Sequence, residues 1–133
     1  MRKSEAIKLR NLIEIAAQSL SDADASMAPE LFLQLKGDSS LITAGTRINW
    51  NGTIKRAVVD IWDTVENNPD NVPILWEDIE YKKGYRIIPE VITASAAFAK
   101  DECGWWNGVL YKSLLAANTY NPDQYPTGWE IVL

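Results

Sequence analysis

The tripeptide Trp-Asn-Gly occurs at Trp50-Asn51-Gly52 and again at Trp106-Asn107-Gly108, each time beside alternating apolar and polar residues. Asn-Gly at the centre of a two-residue loop is the strongest short-range hairpin signal, because a type I′ turn needs positive φ at both central positions. "TRINW-NG-TIKRAVV" and "GWW-NG-VLYKSLL" are therefore read as two hairpins. The downstream residues repeat as well: Asn68-Pro69-Asp70 and Asn121-Pro122-Asp123, then Pro73 and Pro126, then Trp76-Glu77 and Trp129-Glu130. The offset is 56 at the hairpin and 53 at the later features, so the second loop is three residues shorter. Four features recurring in order define an internal duplication. The unit is a hairpin, a proline-bearing loop across one face, and a short third strand whose Trp plugs a thin core. Units of about 35 residues bury too little to stand alone, which favours two units packed together and on the segment before them.

That segment reads as helical. Residues 4–20 hold no Gly or Pro, and Ser4 can cap the N-terminus. Ala6, Leu9, Ile13, Ala16 and Leu20 form a heptad-like stripe widened by Leu12 and Ile15. Such a stripe packs on its own domain or self-associates. Ser21 with Asp24 resembles a capping box opening a second helix, Pro29 ends or kinks it, and Leu31 and Phe32 are core anchors. Between the repeats, "RII" and "EVITA" are strand-like, with Pro89 at an edge or bend. The expected class is mainly β with N-terminal α: a helical segment at 1–32, then two small three-stranded antiparallel modules at 33–80 and 81–133.

Composition narrows the chemistry. The chain has no histidine and one cysteine, Cys103, which excludes Ser-His-Asp and Cys-His machinery, zinc fingers and internal disulfides. No cofactor or metal is expected. A net charge of −5 argues against nucleic-acid binding. The charge is uneven, since residues 1–20 carry net +2. No run approaches the roughly 20 apolar residues that span a bilayer, so no membrane insertion is expected. Lys8, Arg10 and Glu14 interrupt the N-terminal apolar runs, which reads as cytoplasmic synthesis without a signal peptide. Six Trp and five Tyr against two Phe are side chains suited to surfaces where apolar meets wet.

With these residues in hand, the order Gly…Ile-x-Trp-Asn-Gly…Pro…Trp-Glu resembles the chitin-binding type 3 carbohydrate-binding modules of chitinases. "LSDADASMAPELF" ahead of the first repeat and "NTYNPDQYPTGWEIV" closing the second are similar to small bacteriophage and prophage tail-associated proteins. The resemblance covers roughly residues 10–132. Gly45, Ile48, Trp50, Gly52 and Trp76 match the first copy; Phe98, Trp106, Asn107, Gly108, Tyr111 and Trp129 match the second. Lys55 stands where the second copy has Tyr111, Gly104 where the first has Ile48, and "VVDIWDTVENN" lacks the aromatic pair of a chitin site. The resemblance implies a non-enzymatic, oligomeric virion component. Its partners would be a cell-surface polysaccharide or, alternatively, other tail proteins on the same scaffold.

Sugars bind by stacking their C–H faces on exposed aromatics while polar groups take the hydroxyls. Trp50, Gly52, Trp76, Trp106, Gly108 and Trp129 are assigned to the repeat scaffold. Trp105, aligned with the polar Asn49, is the leading surface candidate or else is buried against the helices or the other repeat. Trp62, between Asp60 and Asp63, is the second, with Tyr111, Tyr120 and Tyr125 contributing. Glu77, Asp78 and Glu80 do not suit a glycosidase, because neighbours on a strand point apart and a thin module offers no deep cleft. No catalytic residue is assigned.

Overall fold

Asn51 and Gly52 adopt φ of 52° and 86°, and Asn107 and Gly108 φ of 49° and 78°, so both Asn-Gly pairs form the turns their chemistry requires. The computed structural model describes residues 2–132. It divides into two compact units, Met1–Ile79 and Glu80–Leu133, with one copy of the repeat in each. The first unit holds helices α1 (Lys3–Ala17) and α2 (Asp22–Met27). Its strands are β1 (Leu41–Ile42), β2 (Arg47–Trp50), β3 (Thr53–Ala57), β4 (Ile61–Trp62) and β5 (Trp76–Asp78). The second holds β6 (Tyr81–Lys82), β7 (Tyr85–Ile87), β8 (Cys103–Trp106), β9 (Val109–Ser113) and β10 (Trp129–Ile131). One main helix followed by small, mostly antiparallel sheets is the class read from the sequence.

The two copies match in register. In the order β2-β3-β5, Trp50 faces Thr53 and Ala57 faces Trp76; in β8-β9-β10, Trp106 faces Val109 and Ser113 faces Trp129. Each closing Trp is buried and donates its indole N–H across the loop, Trp76 to the Asn67 carbonyl at 3.0 Å and Trp129 to the Tyr120 carbonyl at 2.7 Å. Pro69 and Pro122 are both buried beneath that loop. The ion pair Arg56–Glu77 recurs as Lys112–Glu130. In the second unit the sheet gains two strands, because β6 and β7 pair around a Lys83-Gly84 turn and β7 runs parallel to β8. The segment "EVITA" is not a strand: Pro89 lies just past β7, Val91 is exposed and only Ile92 turns into the core.

One exchange explains the glycine that breaks the pattern. Ile48 is fully buried in the first copy, among Ile42, Ala57, Ile61 and Trp76. At its equivalent, Gly104, an added Cβ would lie 2.6 Å from Ile88 Cγ1 and 2.8 Å from Phe98 Cε2. The larger Phe98, standing where the first copy has Ile42, fills the space that Ile48 occupies there, and packs edge-on against Trp129 at 5.3 Å. Volume is conserved by moving it from one strand to another residue.

The helices cover one face of the first sheet. Ile54 packs with Ala17, Ala25, Phe32 and Ile79. Ser21 caps α2, accepting from Asp24 N–H at 3.1 Å, and Pro29 opens a single 3-10 turn. Ser4 lies inside α1 instead of capping it; Arg2 is the capping residue, with its N–H reaching the Glu5 carboxylate. The buried side of α1 also differs from the expected stripe. Ala17 is buried and Arg10, Ile13 and Glu14 partly so, whereas Leu9, Leu12 and Ile15 are exposed. Arg10 decides this orientation: its guanidinium bonds the carbonyls of Glu30 and Phe32 and the Glu14 carboxylate. Among the described residues no helix is long and apolar enough to cross a membrane.

Candidate functional site

Alternation along the strands separates the residues expected to form one glycan site. Trp105 pairs with Leu110, and Gly104 with Tyr111, so Trp105 and Tyr111 lie on opposite faces of the sheet. Trp105 is half-buried; its indole N–H bonds the Lys82 carbonyl and the Lys82 ammonium sits 5.2 Å from its ring centre. A sugar stacking there would have to displace that ammonium. Tyr111 is also half-buried and stands edge-on to Trp129 at 6.5 Å. Tyr120 is exposed on the proline loop, next to Tyr125. Trp62 is exposed on β4 in the other unit, facing Leu41 across the strand pair.

The structure opens a cleft elsewhere, against Trp50. Its volume is about 270 Å³, and it is lined by Leu35, Lys36, Gly37, Trp50, Asp63, Thr64, Val65 and Asn68. That is just below the range of ligand pockets, about 300–1,000 Å³, and leaves room for a single ring and not for an extended molecule. The loop length difference builds it. The first loop is three residues longer and carries β4 and a 3-10 turn (Val65–Asn67) between the hairpin and the Asn-Pro-Asp sequence. Asp63, from this longer loop, is buried and accepts the N–H groups of Lys36 and Gly37 at 2.9 and 3.0 Å. It therefore fixes one wall of the cleft to the other at its base.

In the second copy the matching asparagine bonds a different segment. Asn121 Nδ2 donates to the Glu90 carbonyl at 2.8 Å, whereas Asn68 Nδ2 donates within its own loop to Val65. The tryptophans follow the same divergence. Trp50 donates its indole N–H to Asp70 Oδ1 at 3.2 Å, which sets the ring against the cleft. Trp106 leans on the Phe98–Trp129 cluster, and its Nε1 is buried with no hydrogen-bond partner among the described residues. An orphaned donor costs about 1–3 kcal/mol. Trp50, like Trp106, also packs against the core cluster of its own unit.

Along β5 of the first unit the carboxylates are paired. Glu77 pairs with Arg56 and Asp78 with Lys55, on successive and hence opposite sides of β5. The Glu77 carboxylate, with Asp22 adding to it, holds the Arg56 guanidinium above its ordinary pKa against partial burial. Beside the cleft segment, hydrogen bonds from the Ser40 side chain and backbone hold the Asp38 carboxyl below the usual range. Around the Trp50 ring the cleft presents the Thr64 hydroxyl, the Asn68 amide and Lys36, while the oxygens of the buried Asp63 carboxylate accept the Lys36 and Gly37 N–H groups. No protein-family model matches the chain, and no curated protein matches it.

Proposed function

We propose that this is a non-enzymatic glycan-binding protein whose first module takes a sugar ring against Trp50. The observation that carries the reading is the cleft itself, an indole fixed by Asp70 beside Lys36, Thr64 and Asn68. The resemblance of the duplicated motif to chitin-binding type 3 modules of phage tail-associated proteins supports a cell-surface polysaccharide as the target. A virion tail is the setting consistent with that resemblance. Trp50→Ala is expected to weaken glycan binding at least about tenfold, the loss of one stacking contact with its buried area. A glycan-array screen of wild type beside this variant is the test, and equal binding by both removes the assignment.

A second reading, assembly through protein–protein contacts, is favoured by the exposed side of α1. Leu9, Leu12 and Ile15 are 47%, 62% and 70% exposed on a helix whose other side already packs on its own unit. Leu9→Ser, Leu12→Ser and Ile15→Ser together are expected to shift an oligomer to the monomer in light scattering while leaving glycan affinity in place. An unchanged mass removes this role for the helix.

A further inference from the structure

The two Asn-Gly turns share a backbone conformation and differ in one neighbour. In each turn both residues are exposed with φ in the left-handed region. No heavy atom lies within 4 Å of where a Cβ on Gly52 or Gly108 would stand, so water and hydroxide reach both turns. An exposed Asn-Gly pair sets an electrophile beside a nucleophile: the side-chain amide carbon, and the next backbone nitrogen, which no Cβ crowds. In the first copy that nitrogen is engaged, because Gly52 N–H donates to Asn49 Oδ1 at 2.8 Å. In the second copy Trp105 stands at the Asn49 position. An indole has one donor and no acceptor, and this one is committed to the Lys82 carbonyl at 2.8 Å. Gly108 N–H therefore has no side-chain acceptor among the described residues.

We propose that Asn107 is a site of spontaneous deamidation and that Asn49 shields Asn51 from the same reaction. Gly108 N loses its proton to hydroxide and attacks the Asn107 side-chain carbonyl carbon, and the new C–N bond closes a five-membered succinimide. The Cγ–Nδ2 bond breaks, and the departing nitrogen takes a proton from water, which releases ammonia and restores the hydroxide. Water then opens the ring at either carbonyl to leave aspartate or isoaspartate, so the net change is amide plus water to carboxylate plus ammonium. In the first turn the nitrogen must also give up its bond to Asn49, since the proton it loses is the one it donates there. One hydrogen bond of ordinary net strength slows the step about fivefold. Opening of the turn itself is common to both copies and does not separate them. Aspartate adds a negative charge at the tip of the second hairpin. Isoaspartate routes the chain through the side chain and adds a backbone atom to a two-residue loop whose length sets the register. The Trp106–Val109 pair beside the turn is the first to loosen. Ageing therefore falls on the second module before the first.

The test ages the full chain at mildly alkaline pH and follows the tryptic peptides 48–55 and 101–112, one turn in each, by mass spectrometry. In the folded protein the second peptide is expected to convert from amide to acid about fivefold faster than the first. In urea the two rates are expected to converge, because Trp and Gly flank the asparagine in both. Asn49→Ala is expected to raise the folded-state rate at Asn51 to that at Asn107 and to leave Asn107 unchanged, with circular dichroism verifying the fold. Equal rates in the folded wild type, faster conversion at Asn51, or no conversion at Asn107 overturns the proposal. A gap that persists undiminished in urea assigns the difference to local sequence and overturns it as well. Asn51 staying slow in a folded Asn49→Ala protein removes the shielding by Asn49.

Discussion

Replacing Arg47 with Ala is expected to lower stability by about 3–5 kcal/mol, the range for breaking a buried ion pair from one side. Arg47 is 5% exposed, and its guanidinium joins the two helices to the first sheet. Nη1 pairs with Asp22 at 2.9 Å; Nη2 bonds the carbonyls of Leu20 at 2.7 Å, Gln18 at 2.8 Å and, more weakly, Ala17 at 3.3 Å. Those carbonyls lie at and just past the end of α1, where the helix no longer supplies donors one turn ahead. The Gln18 side chain closes the link by bonding both the N–H and the carbonyl of Arg47. The cation also lies 5.2 Å from the Phe32 ring centre. Since small domains are stable by about 5–15 kcal/mol in total, a loss of this size threatens the fold of the first unit. Arg47→Lys is expected to recover only part of it, because a single ammonium cannot reproduce the planar fork. Urea unfolding measures both, and a loss under about 1 kcal/mol for Arg47→Ala contradicts the role.

Gly104→Ile is the second large effect. It places in the second copy the residue that the first copy has, and local sequence similarity alone would rank it harmless. The space is already taken: even a Cβ meets Ile88 and Phe98 below 3 Å, and the Arg86 carbonyl at 3.1 Å. Overpacking of this kind costs about 1–3 kcal/mol, and more where backbone forms the wall. Phe98→Ala in the same chain frees volume and is expected to recover part of the loss, whereas Phe98→Ala alone opens a cavity costing about 3–5 kcal/mol. Strong non-additivity is therefore expected between these neighbours, and simple addition in thermal or chemical unfolding argues against the volume exchange.

Both effects show where a linear reading succeeds and where it stops. The duplicated turns, the closing tryptophans and the loop prolines are legible because local geometry demands particular residues: positive φ demands Asn-Gly, and a thin core demands one large ring. Phe98 with Gly104 is a compensation between residues brought together by the chain, and neither position announces it. Hydropathy ranks Leu12 and Ile15 above Arg10 as buried groups and so turns the wrong face of α1 inward. Arg10 wins the inner side through three hydrogen-bond acceptors that the fold brings to it. The separation of Trp105 from Tyr111 is within reach of the sequence, since a two-residue turn at Asn107-Gly108 sets Tyr111 opposite Gly104 and not opposite Trp105. The Trp50 cleft is the least legible part. Its only trace is three additional residues in the first loop, and Asp63, an acidic side chain that reads as surface, is the one that holds it together.

The most direct measurement follows the six indole N–H signals of the chain by ¹H–¹⁵N NMR while a bound polysaccharide fragment is titrated in. The indole signal of the cleft-lining Trp50, whose proton is held by Asp70, is expected to shift with saturation, while those of the buried Trp76 and Trp129 stay in place. A fragment that binds and saturates while leaving the Trp50 signal unmoved contradicts the assignment of the first-module cleft as the glycan site.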